Sequence, residues 1–176
     1  MRKLKIEELN RPTLEEFKKS PKNSLVIVLD NVRSMNNVGS AFRTADAFSV
    51  ERICLCGITA KPPHREIHKT ALGATESVEW AYFENTRDAV EEYKAKGYSV
   101  YSVEQAEGSL ALQDLTIDPK GKYVLIFGNE VFGVGDEVIA LSDHCIEIPQ
   151  FGTKHSLNIS VSIGIVTWVF LRQLRF

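Results

Sequence analysis

The chain alternates short apolar runs with longer amphipathic stretches. Leu25–Leu29 is continuously apolar, rich in Val and Ile, and ends at Asp30-Asn31. A run of this length without polar alternation predicts a strand buried on both faces. Comparable runs lie at Arg52–Cys56, Trp80–Phe83, Tyr98–Val103, Tyr123–Phe127 and Cys145–Ile148. Helical patterns fall between several of them, at Asn37–Phe48, Thr86–Lys96, Asp136–Leu141 and Leu157–Leu174. Asn85 as N-cap and Gly97 just past the end frame the second of these. Strands alternating with helices predict an α/β fold, a mostly parallel sheet flanked by helices. Ligands of such sheets sit beyond the carboxyl ends of the strands, which directs attention to the loops after Leu29, Val103, Phe127 and Ile148.

With 176 residues, 44% hydrophobic and 25% charged, the chain has the composition of one globular domain and not of a disordered or fibrous protein. Residues 1–22 read as a basic N-terminal extension, with seven Lys or Arg against four Glu, and residues 23–176 as the main domain. Within the extension, Thr13 and Glu16 have capping-box spacing for a short helix that stops near Ser20-Pro21. A net charge of −2 excludes binding of nucleic acid by bulk charge, so any nucleic-acid partner must be met by local basic patches. One such cluster is Lys61, Arg65 and Lys69, a stretch that in isolation reads as a solvated loop, and Lys154 with His155 extends it.

Cys54, Cys56 and Cys145 lack metal-site or redox spacing. Cys54 and Cys56, two apart in a strand, share one face and read as buried thiols of a reduced cytoplasm. Residues 1–12 lack the apolar core of a signal peptide. Leu157–Leu171, the most membrane-like stretch, is broken by Asn158, Ser160, Ser162, Gly164 and Thr167, and reads as a buried helix. No membrane partner and no metal are expected.

Three loops have unusual composition. The first runs Asn36-Asn37-Val38-Gly39-Ser40-Ala41-Phe42-Arg43 into a helix, the second is Gly128-Asn129-Glu130-Val131-Phe132-Gly133, and the third is Ile148-Pro149 through Ser156-Leu157-Asn158. Taken singly, each has a plain reading: a helix-face arginine, a loop carboxylate, an N-cap. The glycines of the second let a backbone approach a ligand, but neither a Walker loop nor a dinucleotide fingerprint is present.

In this order the three segments resemble the motifs of the SpoU (TrmH) family of RNA ribose 2′-O-methyltransferases, of the SPOUT superfamily. The resemblance runs from about residue 24 to the C-terminus and includes Thr70–Ala74. It implies S-adenosylmethionine as cofactor, tRNA or rRNA as substrate, a homodimer, and a deep trefoil knot toward the C-terminus. It also implies a cofactor cradle at Val103, Glu104, Phe127, Gly128, Asn129, Ile148, Ser156 and Leu157. Arg43 matches the family's catalytic position, with Asn37, Glu130, Ser156 and Asn158 around it.

A guanidinium, with a pKa of roughly 12 or more, does not readily act as a base. Arg43 is therefore either a general base or a clamp on the phosphate and developing alkoxide, oriented by Glu130 or Asn158. Ile163, Val166, Val169 and Phe170 of the last helix are expected to build the dimer. A catalytically silent RNA-binding homologue and a flavin or nicotinamide protein are the competing readings.

Overall fold

The computed structural model describes residues 1–176, the side chain of residue 6 excepted. Seven strands, β1 (Asn23–Asp30), β2 (Val50–Cys56), β3 (Trp80–Phe83), β4 (Ser99–Val103), β5 (Leu110–Ala111), β6 (Tyr123–Phe127) and β7 (His144–Glu147), form one sheet. Its order is β3-β2-β1-β6-β4-β7-β5. Each of the six pairings is parallel. The helices are α1 (Leu14–Lys19), α2 (Met35–Ala47), α3 (Arg65–Ala71), α4 (Ala74–Ser77), α5 (Thr86–Ala95), α6 (Asp136–Leu141) and α7 (Ile159–Arg175).

The continuous apolar run of β1 follows from burial on both faces. Leu25, Ile27 and Leu29 pack with Val38 and Phe42 of α2 and Ile163 and Phe170 of α7. Val26 and Val28 face the other way, onto Ala89 and Val90 of α5 and Val138 of α6. Each such side chain withdrawn from water contributes about 1.5–3 kcal/mol before chain entropy is counted. Cys54 and Cys56 share this second face, and burial pushes both thiols up to about 12.

At the end of β1 the buried Asp30 ties three loops together. Its Oδ1 accepts from Thr86 Oγ1 at 2.5 Å and Asn31 Nδ2 at 2.9 Å, while Oδ2 accepts from the Gly135 N–H at 3.0 Å. The start of α5 and the loop after β6 are thereby fixed to the central strand.

Several expectations need correction. Helix α2 begins two residues before Asn37, because Ser34 caps it and accepts from the Asn37 N–H. Helix α7 begins at Ile159, two residues after Leu157, with Asn158 as its cap. The loop reading of the Lys61–Lys69 cluster is replaced from Arg65 onward by α3, whose N-cap is His64. Only Ile67 and Ala71 of α3 are buried, too brief a stripe to stand out. Strand β5, two residues at the sheet edge, was not expected at all. On α7, Ile163, Val166 and Phe170 are fully buried in the chain's own core, so they cannot build a subunit interface. The apolar residues left facing outward are Val161, Ile165 and Trp168. Among the described residues no helix is long and apolar enough to cross a membrane.

Candidate active site

A cleft of about 530 Å³ opens at the carboxyl ends of β4, β6 and β7. All the residues expected to cradle a cofactor line it: Val103, Glu104, Phe127, Gly128, Asn129, Ile148, Ser156 and Leu157. Glu130, His155 and Asn158 line it too. Its size is that of a small-molecule site.

The loop after β6 is a tight hairpin. Asn129 and Gly133 exchange backbone hydrogen bonds of 2.9 Å in both directions, and Asn129 Oδ1 accepts from the Val131 and Phe132 N–H groups at 2.8 and 3.2 Å. Asn129 Nδ2 also donates to the Asn31 carbonyl at 2.7 Å. Gly133 sits at φ +69°, a region that disfavours a side chain, and a Cβ on Gly128 would run into the backbone of Gly133 and Val134. Glu104 supports the hairpin from β4: its Oε2 accepts from the Val134 N–H at 3.0 Å and its Oε1 from the Gln105 N–H at 2.9 Å. Gln105 in turn donates to the His155 carbonyl at 2.6 Å, which joins this wall to the third loop. The carboxylate of Glu104 thus holds backbone in place as well as lining the cleft.

Glu130 reaches from the hairpin to the start of α2. Its carboxylate accepts from the Arg33 and Ser34 N–H groups, each at 2.9 Å, and from Asn37 Nδ2 at 3.0 Å. Burial pushes the carboxyl up, but these bonds outweigh it and hold the group below the usual carboxylate range. Glu130 and Asn37 are thus brought together, and neither is hydrogen-bonded to Arg43 among the described residues.

The charge dependence can be tested with Glu130→Gln, whose amide turns N–H toward N–H donors. Stability at pH 7 should fall by about 1–2 kcal/mol, read as a drop of roughly 2–8 °C in Tm. Because the folded pKa is depressed, the carboxylate's contribution is complete above the unfolded value and is lost as pH falls through the folded one. Thermal melts of wild type and variant should converge as acid protonates the carboxylate; a gap that stays unchanged into the acid range would contradict this.

The remaining expected residues are more dispersed. Arg43 is exposed on α2 and lies outside the residues that line the cleft. Ser156 is exposed at the cleft mouth. Asn158 Oδ1 is committed to capping α7, accepting from the Ser160 N–H at 2.8 Å and Ser160 Oγ at 2.6 Å. Lys61, Arg65 and Lys69 are exposed around α3, and Lys154 is exposed beside the third loop. Sequence reading missed the Arg33 and Ser34 backbone donors, which no residue type announces.

Three carboxylates, Glu104, Glu130 and Glu147, line the cleft, and no Lys or Arg does. Such a lining repels the phosphates of a dinucleotide and suits a ligand that carries positive charge. The backbone-rich walls at the ends of β4, β6 and β7 fit an adenosyl group bearing a sulfonium. Fold and cleft together define a parallel α/β protein with an acidic, small-molecule-sized cleft at the carboxyl ends of its strands.

The profile of the SpoU rRNA methylase family matches residues 24–168. The chain belongs to this family. It is 29% identical over 153 residues to a tRNA (guanosine(18)-2′-O)-methyltransferase of Borreliella burgdorferi, covering 87% of this chain and 68% of the relative. The TrmH/SpoU tRNA modifying enzyme of Aquifex aeolicus superposes with a TM-score of 0.80 at 27% identity, over 91% of this chain and 80% of that one. An AdoMet-bound rRNA methyltransferase from Sinorhizobium meliloti gives a TM-score of 0.80 at 31% identity, over 90% of this chain. The chain spans only 60% of that protein's length.

Proposed function

We propose that this chain transfers a methyl group from S-adenosylmethionine to a ribose 2′-hydroxyl of tRNA or rRNA. The observation that carries the reading is the acidic, backbone-walled cleft formed by the second and third family motifs at the ends of β4, β6 and β7. Bound there, S-adenosylmethionine supplies an electrophilic methyl carbon on a sulfonium. The loops at Val103-Glu104, Phe127–Asn129, Ile148 and Ser156-Leu157 would hold it and shield it from water. With the cofactor held there, its methyl group would pass to the ribose oxygen and S-adenosylhomocysteine would be left.

Arg43 holds the adjacent phosphate and disperses charge developing on the ribose oxygen, while water or phosphate accepts the proton. Asn37 and Glu130 fix the start of the helix that carries Arg43, and Ser156 and Asn158 form the facing rim. Lys61, Arg65, Lys69, Lys154 and His155 meet the RNA backbone, with the basic 1–22 extension ahead of the 23–176 catalytic domain. By family membership the reading extends to a deep trefoil knot in the C-terminal segment. The protein acts in the cytoplasm. Isothermal titration with S-adenosylmethionine tests the core of this reading, which a folded protein that binds neither it nor S-adenosylhomocysteine would overturn.

Arg43 stands outside the cleft of its own chain, and the working unit is a homodimer. Val161, Ile165 and Trp168 support this, since they recur at helical spacing on one exposed face of α7. Ile165→Glu should leave the fold intact, because the residue faces solvent in the single chain, and should weaken dimerisation by about 10²–10³-fold by placing an unpaired charge in the interface. Sedimentation at micromolar concentration should find monomer; an unaltered dimer would place the interface elsewhere.

A further inference from the structure

A second cleft of about 410 Å³ lies beside the first, on the other side of the hairpin that follows β6. The two share Asn129, Phe132 and Gly133. Its rim is unusual for a solvent-facing loop region: Phe132 is 84% and Ile58 65% exposed, and Arg33 stands beside them. Arg33 gives its backbone N–H to Glu130, and its guanidinium enters none of the ion pairs among the described residues.

The surface continues past Ile58. The Tyr82 hydroxyl donates to the Gly57 carbonyl at 3.0 Å, which holds the 38% exposed ring next to the loop that bears Ile58. Lys61 Nζ lies 3.9 Å from the centroid of that ring. The Ile58 N–H is fixed at 3.2 Å to Asn31 Oδ1, so this loop is held against the end of β1. Phe132 beyond β6 shares the cleft with Ile58 and Arg33, and Tyr82 with Lys61 adjoins the Ile58 loop. Two exposed rings, an aliphatic side chain and two cations therefore lie along the carboxyl ends of β6, β1, β2 and β3.

We infer that this ledge is a subsite for unpaired nucleobases of the RNA, with Phe132 and Tyr82 as stacking faces and Arg33 and Lys61 on the flanking phosphates. The inference rests on the methyltransferase reading and adds to it a place for nucleotides next to the one methylated. Aromatic faces interleaved with cations are what single-stranded RNA requires, because every base has a stacking face and every linkage a negative charge. A protein partner would need acidic side chains placed against both cations as well as apolar ones against the rings, whereas RNA carries both features in every nucleotide. Because Phe132 borders both clefts, a base on its outer side lies beside the ribose being presented to the methyl donor. Target nucleotides are thereby selected by whether they and their neighbours are splayed from a helix.

The test uses the full chain and two fluorescent probes of equal charge, a uridine octamer and an octamer of abasic ribose phosphates, compared by anisotropy at one salt concentration. Wild type should prefer the uridine octamer. Phe132→Ala and Tyr82→Ala should each weaken that binding by about 5- to 150-fold and leave the abasic affinity unchanged. Phe132→Trp should retain the preference. Arg33→Gln should weaken both probes and lower the salt slope by about one.

Equal affinity of wild type for the two probes, or aromatic variants that bind uridine as wild type does, would overturn the subsite. So would a Phe132→Ala protein that sediments as a different oligomer, which would assign the ring to a subunit interface. If the subsite fails while S-adenosylmethionine still binds, the methyltransferase reading stands; a folded protein that binds neither cofactor nor RNA overturns both.

Discussion

Arg43→Ala should reduce methyl transfer by at least about a hundredfold, the scale of removing one preorganised charge-stabilising group, and leave S-adenosylmethionine affinity intact. The second expectation follows from placement: Arg43 is exposed on α2 and is not among the residues that line the proposed cofactor cleft. Single-turnover transfer and calorimetry read the two effects separately. Arg43→Lys distinguishes the roles open to the residue. A lysine keeps one charge and loses the planar fork, so a clamp predicts weak activity with a pH–rate profile of unchanged shape. If the residue must instead lose a proton, the lysine variant, with an intrinsic pKa of ~10.4, should be active with a profile displaced to lower pH. Transfer at the wild-type rate in Arg43→Ala would dismiss both roles.

Gly128→Ala should have the largest effect on the cofactor cleft. The added methyl would press on the Gly133 and Val134 backbone, where the hairpin closes on itself and where Glu104 accepts from the Val134 N–H. Backbone cannot rotate aside as a side chain can, so the hairpin must open. Overpacking of this kind costs about 1–3 kcal/mol, or roughly 2–4 °C in Tm for each kcal/mol in a chain of this size. Cofactor affinity should fall by more than about tenfold, because the walls from Phe127 to Asn129 shift with the hairpin. Gly152→Ala, whose methyl would meet nothing within 4 Å, should leave Tm unaltered. Wild-type affinity in Gly128→Ala would show that the hairpin is not a wall of the cofactor site.

The strands were legible in the chain because β1 and β6 are apolar on both faces, and a short continuous run of that kind suits a strand enclosed between two helical layers. Helix α3 was not legible, since two buried residues among polar and charged neighbours carry no clear period. Helix α7 illustrates a different limit. It is apolar nearly all round, so the pattern announces burial without saying which face meets the chain's own core and which meets something else. Ile163, Val166 and Phe170 proved internal, and Val161, Ile165 and Trp168 external.

The cleft was legible through its glycines and through motif order, because both mark where backbone must approach a ligand. The bonds that shape it were less so. Glu130 is held by two backbone N–H groups and one amide, and Glu104 by two backbone N–H groups; backbone donors are the same in every residue and leave no trace in composition. The aromatic ledge at Phe132 and Tyr82 was equally hidden, since residues so far apart in the chain are brought to one end of the sheet only by the strand order.

Mass spectrometry of nucleosides from unmodified tRNA and rRNA, incubated with the purified protein and S-adenosylmethionine, tests the central claim most directly. The expected product carries one added methyl on a ribose, makes the following phosphodiester resistant to alkali, and appears in equal amount with S-adenosylhomocysteine. A methyl on a base, or no methylated nucleoside from protein that is folded and binds the cofactor, would contradict it.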